Sequence, residues 1–449
     1  MNVAARAPAP SVAVSGGASG PPTPPASVPL TFFAAAGAGG IAFGVALLLS
    51  SSDAVISPFL PHALATAHFG VLAFLTVAVL GALHQFAPVA AGRPLRSVVA
   101  ARITAGVLVP AVWVLAIAFG AGRPGIVAPA GLAAFVAMCL AAWNLSGPLS
   151  ARGGGVPVIG LRWATGLLLV TASMGVLYAF DLREGWFDLL PRAVAAHAHL
   201  GLIGWLGVAY ISVAEKLWPM FLLSHRKRNR SGKLAVCLTP IGAVILAAGL
   251  LGSVAGLMFV GAGAVAIGLG AHLTSLVAVI RHRMRGLELL HAFVIASAAF
   301  LIVAVIVGTI AASSSDPATR LRLVSAEVMA LICWLVLALL GHAHKVVPFI
   351  AWTALKTRGA LPTGGPPVLF SHLYDRRTAQ VTFGLVLTGA CLAVGGLLTS
   401  QGAMLGAGGL AVALATLITT INLTLRPLAL LRSQPATDRG RSALEGRTV

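Results

Sequence analysis

Apolar residues dominate twelve stretches of the chain, each closed by a short cluster of charged residues, Gly or Pro. The stretches run approximately over 31–51, 57–90, 100–121, 126–148, 160–181, 190–222, 234–255, 257–280, 288–312, 322–350, 378–398 and 402–424. At about 1.5 Å per residue each can cross about 30 Å of hydrocarbon. The pattern predicts an all-α integral membrane protein with twelve transmembrane helices over 31–426. Residues 1–30 and 427–449 are expected to be disordered cytoplasmic tails. The first is rich in Pro, Gly, Ser and Ala and lacks the basic-then-apolar layout of a cleaved signal.

The polar interruptions inside these spans repeat. HFGVLAFLTVAVLGALHQFAP (68–88), HLGLIGWLGVAYISVAEKLWP (199–219) and VMALICWLVLALLGHAHKVVP (328–348) align without gaps, offset by 131 and then 129 residues. Their first positions are His68, His199 and Val328. Their seventh are Phe74, Trp205 and Trp334. Four residues before the shared proline stand His84, Glu215 and His344. A near-constant period of this kind predicts three pseudo-symmetric four-helix units, with the repeated stretch as the second helix of each.

Composition agrees: 58% of the residues are hydrophobic and 9% charged, far from the soluble range. The net charge of +19 raises the question of nucleic acid, but its distribution excludes that reading. The loops after even-numbered spans, with both termini, hold 23 Lys and Arg; the other loops hold 5. This asymmetry predicts a bacterial-type cytoplasmic membrane with both termini cytoplasmic and lipid as an obligatory partner. The run HRKRNR (225–230) reads as a topology anchor. The four cysteines lie in apolar spans without CxxC spacing, and no CxxCH occurs, so covalent c-type haem is not expected.

Ionisable groups inside lipid are costly, so they mark candidate chemistry. With the predicted topology, His68, His197 and His199 fall roughly 10–15 Å below the outer surface at about 1.5 Å per residue. His197 and His199, two residues apart, point to nearly opposite sides of one helix, about 200° of rotation apart. They cannot chelate one metal together, yet each can serve a separate planar cofactor. Ala196, Ala198, Gly201 and Gly204 leave room for a ring. Haem ligation is the leading reading, with hydrogen bonding to the backbone as the structural alternative. His68 and His199 could face one pocket as a six-coordinate pair, leaving His197 on a five-coordinate haem open to a gas. Glu327 either relays protons beside an open haem face or is a paired buried acid, for example with Arg322. Arg183, Arg192, Arg320 and Arg322 are the cations available for haem propionates. Arg192 is favoured, one and a half turns before His197. His272 is a core histidine or a spare ligand.

A second constellation, His84, Glu215, His342 and His344, falls near the cytoplasmic face. It can form a zinc, iron or copper site centred on His84, Glu215 and His344. It can also gate a proton path, or cap helix ends that the prolines disturb.

AHAHLGLIGWLGVAYISVAEKLWPMF (196–221) resembles the haem-ligand helix of the haem–copper oxidase superfamily, chiefly its C-type oxidases and nitric oxide reductases. HFGVLAFLTVAVLGALHQFAPVAAGRPL (68–95) looks equally like NnrS, a membrane haem protein family linked to nitric oxide responses. The resemblance implies two b-type haems bound through His68, His197 and His199, in a twelve-helix threefold bundle. It also implies electron transfer coupled to binding or reduction of nitric oxide or oxygen. The chain departs from the respiratory enzymes in carrying its HxH in span 6 rather than span 10. No histidine pair for copper is found, so a copper centre lacks ligands. Electrons would come from a cytochrome partner or from quinol. Two other classes remain: a twelve-span proton-coupled secondary transporter, and a non-catalytic haem- or metal-handling protein.

Overall fold

The computed structural model describes residues 23–187, 191–225, 230–361 and 367–432. Twelve helices long and apolar enough to cross a membrane run through them, and no strand occurs among the described residues. They are α1 (Ser27–Leu49), α2 (Pro61–Ala91), α3 (Val98–Gly120), α4 (Pro124–Leu149), α5 (Gly155–Glu184), α6 (Pro191–Leu222), α7 (Arg230–Gly252), α8 (Ala255–Arg281), α9 (Leu289–Ser313), α10 (Pro317–Thr357), α11 (Arg376–Leu398) and α12 (Gly402–Arg432). The protein is an all-α, twelve-span membrane protein.

Helix ends extend past the apolar stretches, because hydropathy marks the lipid-facing length and not the hydrogen-bonded one. α1 starts at Ser27, inside the expected N-terminal tail, and α12 continues to Arg432, past 426. Residues 1–22, 226–229 and 433–449, with most of the tails and the centre of the basic run, lie outside the described residues. α10 is 41 residues long. Its start is fixed by Pro317 in the first turn and by Asp316, whose carboxylate accepts the Thr319 backbone N–H at 2.8 Å. The Thr319 donors hold the Asp316 carboxyl below its ordinary range. Its cap is therefore complete above the ordinary aspartate range and weakens as pH falls through the lowered value.

The packing follows the predicted repeat. Helices pair as α1–α2, α3–α4, α5–α6, α7–α8, α9–α10 and α11–α12. α4 packs on α5 and α12 closes on α1, whereas α8 and α9 form no packed pair. The three repeated helices are central: 67, 72 and 67% of the apolar windows of α2, α6 and α10 are buried, against 28–50% elsewhere. They touch directly. Trp205 Nε1 donates to Thr76 Oγ1 at 3.1 Å, and Tyr210 meets Trp334 edge-on at 5.7 Å.

Finer details also repeat. Phe32 packs on Gly81 and Phe293 on Gly341, at equivalent positions of units one and three. In unit two the bulk is exchanged: Ser212 packs on Gly160. Asn144 accepts the Ser97 N–H at the start of α3, and Asn422 accepts the Asp375 N–H at the start of α11, each across 47 residues. α2 ends on left-handed Gly92 and α6 on left-handed Leu223, whose N–H groups donate to Pro88 and Pro219 carbonyls. α10 has no such stop and continues to Thr357.

Two predictions follow from these positions. Leu223→Gly removes the left-handed penalty at φ 48° and should stabilise the protein by about 1 kcal/mol, read as a higher Tm in detergent. Gly341→Val should cost about 1–3 kcal/mol, since a Cβ there would lie 2.6 Å from Phe293 Cβ. Gly270→Ala, with open space around it, should show no such loss.

Candidate functional site

The ends at which α2, α6 and α10 begin are called here the leading end of the bundle, and the opposite ends the trailing end. Seven residues into α2 stands His68; six and eight residues into α6 stand His197 and His199. His197 turns toward α5: a Cβ on Gly175 would lie 3.1 Å from its Cε1, and the Tyr178 ring meets it at 5.9 Å. His199 turns toward α10, where its Nε2 lies 3.3 Å from Glu327 Oε1. The two imidazoles thus serve opposite sides of α6, as their spacing requires.

Glu327 sits against Gly308 of α9, where a Cβ would come within 2.5 Å of its Oε1. Its partner is His199, not Arg322, which is exposed. The charged neighbour of His199 is Glu327. His68 is half-buried and stacks on Phe119 of α3 at 4.6 Å and 22°.

The tautomers are set by the backbone. The Nδ1 atoms of His68, His199, His84, His342 and His344 each lie 2.7–2.8 Å from the carbonyl four residues earlier. A carbonyl only accepts, so each Nδ1 donates, and in the neutral ring Nε2 keeps its lone pair facing away from the helix. A carbonyl accepting from one ring nitrogen is what orients the other toward a metal in imidazole ligands. His197 differs: its Nδ1 makes no such bond to the preceding turn, and the backbone at Thr171 of α5 is its hydrogen-bonding neighbour.

Directly after His68 and His199, and at the same register, α2 and α6 widen into π-helical segments, Phe69–Thr76 and Leu200–Gly207. π-helical segments are rare and often mark functional positions. α10, whose equivalent of His199 is Val328, stays α-helical throughout. The π geometry has no sequence signal beyond the repeat itself.

At the trailing end the equivalents do not converge, which corrects the expectation of a shared metal site. His84 stacks on Phe32 of α1 at 5.3 Å, and His344 packs on Phe293 of α9 at 5.6 Å. Glu215 instead faces α8, accepting from Ser275 Oγ at 3.0 Å, with His272 Nδ1 at 3.8 Å. Each side chain packs against a neighbouring outer helix and not against the central axis. Among the described residues no group of three or more His, Cys, Asp or Glu is arranged to hold a metal ion. The capping alternative is closer to what is found, though the imidazoles bond the carbonyls of their own preceding turn. His291, Glu288 and Tyr210 complete this end and carried no signal in the repeat. Lys345 pairs with Glu288 at 2.7 Å.

Of the arginines considered for propionates, Arg183 pairs with Glu184 at 2.9 Å and Arg320 bonds the Ser314 carbonyl at 3.0 Å. Arg192 is exposed in the first turn of α6. A small apolar cavity lies away from the histidines, lined by Phe43, Leu47, Met329, Cys333, Val386 and Val412 among others. No known family model matches the sequence, and no curated protein matches it.

A double-mutant cycle tests the buried pair. Glu327→Leu and His199→Leu should each destabilise the protein by about 3 kcal/mol, because each leaves a buried partner unpaired. The double variant should recover at least about 1 kcal/mol of their sum, read from Tm or denaturant midpoints in detergent.

Proposed function

We propose that the protein is a membrane haem protein, with b-type haem held at the leading end through His68 and His197. The observation that carries this reading is the pair itself. Two imidazoles stand near the starts of two central helices, and each has a ring nitrogen that no protein group uses in a described hydrogen bond. Both stand beside π-helical segments. These residues would hold the haem iron: the Leu64 carbonyl fixes the His68 tautomer, and Gly175 makes room for the His197 ring itself. Bound haem supplies one-electron chemistry and, where one axial position is open, a site for a diatomic gas.

The chain's own residues would do the rest. The Leu64 carbonyl orients His68 and raises its basicity as a ligand. Arg192, exposed near the leading surface, would be the cation for a propionate. The His199–Glu327 pair can hold or pass one proton at Nε2 beside the site. A second haem on His199, expected from the resemblance, would require Glu327 to release it. A haem held by both imidazoles supports electron transfer; binding or reduction of nitric oxide or oxygen would need the second haem, with the arginine- and lysine-rich trailing end in the cytoplasm.

Proton-coupled transport is the second reading, favoured by the buried pairs His199–Glu327 and Glu215–His272. The threefold packing argues against it, since secondary transporters are commonly built from two repeats with broken helices.

Absorption spectra of the purified protein, oxidised and dithionite-reduced, with a pyridine haemochrome assay, test the proposal. Wild type should carry b-type haem. His68→Ala and His197→Ala should each lose most of it, whereas His344→Ala should retain it. Protein that stays haem-free after expression with haem supplied would leave transport as the better reading.

A further inference from the structure

The turn that joins α8 to α9 at the trailing end carries Arg281, His282, Arg283 and Arg285, all exposed. No acidic residue stands between Glu215 and Glu288 in the sequence. Both of those carboxylates are occupied. Glu215 accepts from Ser275 inside the bundle, and Glu288 pairs with Lys345. The turn therefore has no spare acid of its own to neutralise its charge.

Its backbone is nevertheless held in place. The Leu222 carbonyl, at the end of α6, accepts the Met284 N–H at 3.0 Å and the Arg285 N–H at 3.3 Å. Two of the four polar side chains are used locally. Arg283 donates to the Ile280 carbonyl at 3.0 Å, and His282 Nδ1 to the Ala278 carbonyl at 2.8 Å. Arg281 and Arg285 have no hydrogen-bond or ion-pair partner among the described residues. Other arginines at this end bond the protein itself. Arg93 and Arg96 donate to Ser150 and Ser146, and Arg162 donates to the Leu149 and Ala151 carbonyls.

Apolar side chains flank the two unpartnered guanidinium groups. Met284 is 73% exposed, Leu287 45%, and Val277, one turn before Arg281, 47%. Water disfavours that exposure and hydrocarbon does not. The surface thus combines two fixed cations with an apolar approach along α8.

We propose that this turn binds an anionic phospholipid, its phosphate held by Arg281 and Arg285 and its acyl chains lying along the exposed face of α8. Guanidinium groups take phosphate oxygens through paired N–H donors. The headgroup must carry net negative charge. A choline or ethanolamine group would bring its own cation, and the turn has no spare acid to receive it. One leaflet of hydrocarbon, about 15 Å thick, covers about ten residues of helix. A chain would therefore reach back from Arg281 over exposed Val277 and Thr274 to Gly270. The site is independent of the haem reading and needs no haem.

Native mass spectrometry of the full-length protein in mild detergent, titrated with phosphatidylglycerol, tests the site. Phosphatidylglycerol should bind at least about tenfold more tightly than phosphatidylcholine. The double variant Arg281→Gln/Arg285→Gln should lose at least about tenfold in affinity for it. Arg152→Gln/Arg358→Gln removes two other exposed arginines of trailing loops and should leave the Kd unchanged. Equal weakening in both double variants would reveal a diffuse surface potential and overturn the proposal. Equal binding of phosphatidylcholine, or displacement of the lipid by glycerol phosphate at matched concentration, would do the same. Should the first double variant fail to fold, Arg285→Glu decides, since unchanged phosphatidylglycerol binding there contradicts the site. Protein free of haem should bind the lipid equally well, so failure of the haem reading leaves this result standing.

Discussion

Hydrocarbon supplies no hydrogen bonds, so every buried polar group in this bundle must find its partner within the protein or in a ligand. Helices meet that demand for the backbone. For the histidines the backbone is used a second time: six imidazoles among the described residues, exposed His282 included, donate Nδ1–H to the carbonyl one turn earlier. That bond satisfies one nitrogen and presents the other, with its lone pair, at a defined angle from the helix. The chemistry available at each position then depends on what meets that second nitrogen. Glu327 meets it at His199, and among the described residues no hydrogen-bond partner does so at His84, His342 or His344.

The three units keep a common frame while their polar groups have diverged. Phe32 on Gly81 and Phe293 on Gly341 are one packing solution used twice, and Ser212 on Gly160 is its inverse. The first position of the repeat carries His68 and His199 but Val328 in the third copy, where Glu327 stands one residue earlier. That exchange brings the acid of unit three against the histidine of unit two. Only the two copies that carry the histidine have the π-helical segment. The leading half thereby gathers His68, His197, His199 and Glu327, and the trailing half gathers Glu215, His272, His342 and the Glu288–Lys345 pair.

Much of this was legible in the residues. The twelve spans follow from apolar length, and the central place of α2, α6 and α10 follows from the repeat that carries the ionisable groups. The opposite facing of His197 and His199 follows from helical geometry alone. Tertiary packing decides what stayed hidden. Nothing near Glu327 in sequence points to His199, 128 residues away, because the contact depends on the gap at Gly308. Repeat symmetry suggested that His84, Glu215 and His344 would meet. Each side chain instead follows the nearest outer helix, since Phe32 and Phe293 offer aromatic faces and Ser275 offers a hydrogen bond. The lengths of α10 and α12 escaped hydropathy, because their last turns lie beyond the apolar stretch.

Electron cryo-microscopy of the protein purified in mild detergent, at a resolution that shows side chains, tests the central claim most directly. It should show planar density with a strong central metal peak, bounded by His68 on one side and His197 on the other. Imidazoles packed directly on Phe119 and Gly175, with no such density in protein prepared with haem supplied, would contradict it.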